Sequence, residues 1–251
     1  MKHTLNNPRN YGDVITIVVD EQNDFCPGGS LAVTDGDRIV PPTNAITDWT
    51  RKNGGSVVFT RDKHNPETAH FISNGGPWPP HCVRYDDMEV RPQGTEGAAL
   101  RTDLDIREGD AIASKGMSNL DDGYSGMEAQ LEPRASILND IVHDLAVDDA
   151  TVEAALLRTV RVNQELGART LTIVMGLATD YCVRATVLDA LRVTDRKWVD
   201  VVAVEDAMRA VDLAYGDGEK AIAEMKAQGA VFMQTYDVIE GGIIVDRRGE
   251  R

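Results

Sequence analysis

Apolar runs of four to six residues alternate along the chain with longer stretches in which apolar positions recur every three or four. The short runs are Val14 to Val19, Ser56 to Thr60, Ala111 to Ser114, Thr170 to Met175 and Val199 to Val204, each bounded by Gly, Asp or Pro. Several are apolar throughout instead of alternating, which is the pattern of strands covered on both faces in a parallel sheet. The helical patterns are Pro42 to Lys52, Asp149 to Leu166, Asp180 to Val193 and Glu219 to Gln228. Glycine follows three of them, at Gly54, Gly167 and Gly229, where a left-handed residue closes a helix. This order of strands and helices predicts an α/β, doubly wound three-layer (αβα) fold with a mainly parallel sheet and right-handed crossovers, in one domain.

Ligands of such sheets sit beyond the carboxyl ends of the strands, so the residues that follow each apolar run are where chemistry is sought. The first run ends at Asp20, a carboxylate suited to general base work or to capping a turn. The second ends in Thr60-Arg61-Asp62-Lys63-His64, and His70 and His81 follow in a Pro- and Gly-rich stretch. One carboxylate and three imidazoles form a mixed set suited to Zn, Mn or Fe; solvated loop histidines are the alternative. The third run leads to Lys115, either a solvated loop charge or a cation placed to stabilise neighbouring anions. After the fourth, Cys182 falls in the first turn of a helical pattern, where unpaired N–H groups favour a thiolate nucleophile. A buried structural cysteine is the other option. The fold would bring the acid, the lysine and the thiol together.

Composition narrows the classes. Of 251 residues, 26 are Lys or Arg and 41 are Asp or Glu, a formal charge of −15. Such a surface repels phosphate backbones and anionic lipid, so neither nucleic acid nor a membrane is an expected partner. The cysteines, Cys26, Cys82 and Cys182, are odd in number in a chain too long to need staples, which points to reduced thiols. Met1 to Asn10 lacks the apolar core of a signal peptide and no run approaches a membrane span, so a cytoplasmic location is expected.

The segments VVDEQNDFCPGGSLAV, TRDKHNPETAHF, WPPHCV, SKGMSNLDDGYSGME and GLATDYCVRATVLDAL resemble, in order, those of the nicotinamidase/pyrazinamidase family of isochorismatase-like cysteine hydrolases. The resemblance runs from Val14 to about Val204 and implies an isochorismatase-like fold. It also implies hydrolysis of nicotinamide to nicotinate and ammonia in NAD salvage, with pyrazinamide as a further substrate. Carried over residue by residue, it implies Cys182 as nucleophile, Asp20 as acid/base and Lys115 as the cation between them. One divalent metal ion per chain is implied, zinc foremost with iron or manganese as alternatives, on Asp62, His64 and His81; His70 matches a position that coordinates only in some members. Phe25 and Trp78 match aromatic residues that sandwich the pyridine ring, and Tyr124 matches a pocket position. Leu177-Ala178 matches a cis peptide that aims the N–H groups of Ala178 and Cys182 into an oxyanion hole. A homo-oligomer is also expected.

One departure stands out. Lys115 and Cys182 lie 67 positions apart, with the surplus at about 136 to 157, which predicts a helical insertion there. Two competing functions are a metal-independent amidohydrolase of the same superfamily acting on carbamoyl or ureido substrates, and an inactive metal-binding scaffold. Indifference to a chelator marks the first; the intact Asp20, Lys115 and Cys182 argue against the second.

Overall fold

A computed structural model describes residues 11–84, 96–120, 123–132, 150–241 and 243. Among the described residues, seven strands form one sheet in the order β4-β3-β2-β1-β5-β6-β7. They are β1 (Tyr11–Val19), β2 (Ser56–Asp62), β3 (Ala111–Lys115), β4 (Gln130–Leu131), β5 (Arg169–Leu177), β6 (Val199–Arg209) and β7 (Val231–Met233). All neighbours pair in parallel except β3 and β4. The helices are α1 (Val40–Lys52), α2 (Val152–Glu165), α3 (Arg184–Val193), α4 (Asp217–Gln228) and α5 (Thr235–Glu240).

Alternation along the central strands sorts their side chains between two cores. Ile15, Ile17 and Val19 of β1 face one way, packing in the cluster that holds Leu156 of α2, Val187 of α3 and Met225 of α4. Val14 and Val18 face the other, with Ile46 and Trp49 of α1 and Val238 of α5. The sheet is therefore covered on both sides, which is why its strands read as unbroken apolar runs. A third cluster, with Phe25, Cys82, Leu177 and Ala178, packs the loops at one end of the sheet.

The five expected strands and four expected helices are present, with shifted ends. β4, β7 and α5 were not predicted: two are three residues or shorter, and α5 has six. The pattern starting at Asp180 divides into a π-helical turn, Thr179–Val183, followed by α3. Most of the expected insertion at 136–157 lies outside the described residues. Its described end is the start of α2, where Thr151 caps Ala154 N–H at 3.1 Å and Val152, Ala155 and Leu156 are buried in the core.

Candidate active site

The carboxyl ends of β1, β2, β3 and β5 deliver Asp20, Asp62, Lys115 and the Cys182 turn to one buried point. Parallel pairing sets this up, because Asp62 stands opposite Lys115 in register and Val18 opposite Phe59. Lys115 Nζ donates to Asp62 Oδ1 at 2.5 Å, lies 2.6 Å from Asp20 Oδ2, also donates to Gly123 O, and is 3.5 Å from Cys182 Sγ. Asp20, at φ 50, turns the chain out of β1, and its Oδ1 accepts from Thr60 Oγ1 at 2.7 Å.

Burial and pairing set the charges. Removal from water pushes the Asp20 carboxyl up, to about 6, although Lys115 opposes the rise. Burial also acts to raise Asp62, but Lys115 and His64 outweigh it and hold Asp62 well below the usual carboxylate range. Burial alone would lower Lys115; the carboxylates of Asp20 and Asp62 overcome that and keep it above its ordinary value. For Cys182 the helix-terminus argument from sequence gives the wrong direction. Burial raises its thiol well above the ordinary value, with Lys115 only partly offsetting this. The resting sulfur is a thiol that needs a base, and Asp20 is beside it.

Three histidines converge next to this cluster. The ligand atoms of His64, His70 and His81 lie within 4.8 Å of one another. His64 Nδ1 is 3.1 Å from Gly116 O and His81 Nδ1 is 2.7 Å from Pro79 O. Carbonyls only accept, so a neutral ring at either position carries its proton on Nδ1 and keeps its lone pair on Nε2, the tautomer of a metal-ligating imidazole. His64 Nε2 is buried without a hydrogen-bond partner among the described residues and lies 3.4 Å from Asp62 Oδ2. A divalent ion fits this donor set, since it supplies what the orphaned nitrogen lacks. Gly116 is required here: at φ +65, a Cβ would fall 2.4 Å from His64 Cε1.

A cleft lies above, with Asp62, His70, His81 and Cys182 among its lining. Phe25, Trp78 and Tyr124, the aromatic residues singled out in the sequence, line it as well. Phe25 packs on the His81 side at 5.5 Å between ring centroids, and Trp78 on the Tyr181 side at 4.9 Å. Trp78 Nε1 donates to Tyr124 Oη at 2.9 Å. Ala178 lines the cleft and its peptide bond with Leu177 is cis.

Leu31, Tyr181 and Val211 also line the cleft and were not singled out from sequence. Val211 follows β6, a strand end that the same rule would have searched. Its placement is a tertiary effect: Asp180 accepts from Val211 N and Asp212 N, both at 2.9 Å, drawing that loop onto the Cys182 turn.

The Isochorismatase domain model matches residues 14–122. A nicotinamidase of Escherichia coli (strain K12) is 32% identical over 236 residues, spanning 88% of this chain and 94% of the relative. The chain belongs to the nicotinamidase family. A nicotinamidase/pyrazinamidase of Mycobacterium tuberculosis is 35% identical, covering 74% of this chain and 84% of its own. A crystal structure of the Pyrococcus horikoshii pyrazinamidase in complex with zinc superposes with a TM-score of 0.64 at 31% identity, covering 88% and 99%. Nicotinamidase-family membership thus agrees with a mostly parallel seven-stranded sheet whose strand ends carry a thiol, an acid and a lysine beside three imidazoles.

Proposed function

We propose that the chain is an amidohydrolase that converts nicotinamide and water to nicotinate and ammonia, a step of NAD salvage, and that it also accepts pyrazinamide. The names of the relatives support the substrates. The observation that carries the chemistry is Lys115 Nζ, 2.6 Å from Asp20 and 3.5 Å from the Cys182 sulfur, in a water-poor pocket.

The ring enters between Phe25 and Trp78 with its carboxamide over Cys182, so the reacting carbon is held against the sulfur. Asp20 accepts the thiol proton, and the sulfur attacks the amide carbon. The N–H groups of Ala178 and Cys182 hold the developing oxyanion. Asp20 then protonates departing ammonia and takes a proton from the water that hydrolyses the thioester. Lys115 keeps the ionised forms of Asp20 and the sulfur favourable throughout. Asp62, His64, His81 and His70 would hold one divalent ion, zinc by donor chemistry, which when bound supplies a Lewis-acid anchor for the pyridine nitrogen.

Ammonia release from nicotinamide and benzamide, with and without chelator, tests this in the parent and in Cys182→Ala. Cleavage of nicotinamide is expected to vanish in the variant and to fall on chelation, with benzamide a poor substrate. Turnover that persists in Cys182→Ala rules out the thiol route, and equal rates on benzamide rule out the anchor.

A further inference from the structure

The main-chain N–H and C=O of Asp62 point toward β1, but β1 does not reach them. Its register with β2 runs to Val18 opposite Phe59, Asp20 N–H then meets Thr60 O at 3.2 Å, and the chain turns away at Asp20. The last residue of β2 would be left with an unpaired donor and acceptor in a buried position, which is costly. The side chain of Gln22 takes the place of the missing strand. Its Oε1 accepts from Asp62 N at 2.7 Å, and its Nε2 donates to Asp62 O at 2.9 Å and to Ala98 O at 2.8 Å. Gln22 is itself fully buried, so water does not compete for these bonds.

Asp62 is also where the two halves of the site meet, with Oδ1 on Lys115 and Oδ2 turned to His64 Nε2. Its carboxylate geometry follows from where its main chain is held. We infer that Gln22 is a positioning residue that clamps the end of β2 and so aims the Asp62 carboxylate at the histidine cluster. This rests on the metal-centre reading above. An amide is required: a carboxylate could accept from the N–H but would repel both carbonyls, and an apolar side chain would pair with none of the three.

The test compares the parent with Gln22→Met and Gln22→Glu, the latter keeping side-chain length in case the former folds poorly. Zinc affinity is measured by competition with a chromophoric chelator, the visible spectrum with cobalt(II) chloride, and exchange of the Asp62 amide by NMR. Loss of such an outer contact to a ligand weakens metal binding about 10–100-fold. That weakening is expected in both variants, with an altered cobalt spectrum; exchange at Asp62 quickens in Gln22→Met, which offers its N–H no acceptor, and not in Gln22→Glu, whose carboxylate still accepts. Zinc affinity within about twofold of the parent and an unchanged cobalt spectrum overturn the role, even if the variants unfold more easily. Should the parent bind no zinc, the metal-centre reading fails by itself, and exchange at Asp62 in Gln22→Met still decides: retained protection refutes the clamp, and lost protection upholds it.

Discussion

Replacing Glu21 by glutamine separates one buried charge from the catalytic chemistry. Glu21 follows Asp20 but turns to the other side of the sheet, where its Oε1 accepts from Thr43 Oγ1 in α1 at 2.5 Å and Oε2 has no partner among the described residues. Burial raises its pKa from 4.5 to about 8; Thr43 opposes the rise, Asp103 adds to it and Arg101 opposes it. The folded chain therefore holds a proton that the unfolded chain releases above about pH 4.5. The stabilising protonated state is fully present below that pH and is lost as pH rises toward 8, at about 1.4 kcal/mol per pH unit. Between pH 5 and pH 8 the contribution falls by roughly 3–4 kcal/mol. Glutamine is neutral throughout and has no such slope. Urea unfolding followed by tryptophan fluorescence is expected to show the Glu21→Gln variant gaining on the parent by about that amount over the interval. At pH 5 the variant is equal or weaker, since its amide hydrogens find no better partner. A stability difference that stays constant from pH 5 to pH 8 would refute the claim that Glu21 is buried as the neutral acid.

Other outcomes follow from the site. Asp20 must be ionised to accept the thiol proton and its pKa is raised to about 6, so kcat/KM for nicotinamide is expected to rise with pH through about 6 and then level; an acid limb centred near 4 contradicts this. Lys115→Met leaves Asp20 and Asp62 buried without their shared cation, and should abolish ammonia release while costing about 3–5 kcal/mol in urea unfolding. Near-parental activity or stability in that variant argues against the role of the lysine. Trp78→Phe keeps the ring face but removes the bond to Tyr124, which is worth about 1 kcal/mol and should raise KM about fivefold with little change in kcat. An unchanged KM shows that the bond does not hold the aromatic wall.

The fold was legible because its central strands are buried on both faces: Val14 to Val19 and Thr170 to Met175 announce themselves as apolar runs. β4 and β7 were not legible, since pairs such as Ser114 with Gln130 depend on the neighbouring strand and leave little periodicity in two or three residues. Asp20, Lys115 and Cys182 could be placed together because each lies at or just beyond the carboxyl end of a strand. The charge state of Cys182 could not, because helix-terminus reasoning is local whereas the enclosure that raises its pKa is assembled by the whole fold. The role of Gln22 was hidden for the same reason. Its partners, Asp62 and Ala98, lie 40 and 76 positions away.

The valence of the Lys115 ammonium carries a last consequence. It has three hydrogens, which it donates to Asp62 Oδ1, Gly123 O and the Cys182 sulfur, while Asp20 Oδ2 stands 2.6 Å away as an ionic partner. The sulfur, at 3.5 Å, is thus already one of its three acceptors, and it is Asp20 Oδ2 that is buried without a hydrogen-bond partner among the described residues. Under the proposed route the lysine therefore steadies the sulfur through a hydrogen bond that precedes the chemistry, and Asp20 Oδ2 is the open acceptor for the thiol proton. Proton transfer from Cys182 to Asp20 would then leave the ammonium's hydrogen bonds in place, so that the thiolate forms with its hydrogen bond already made.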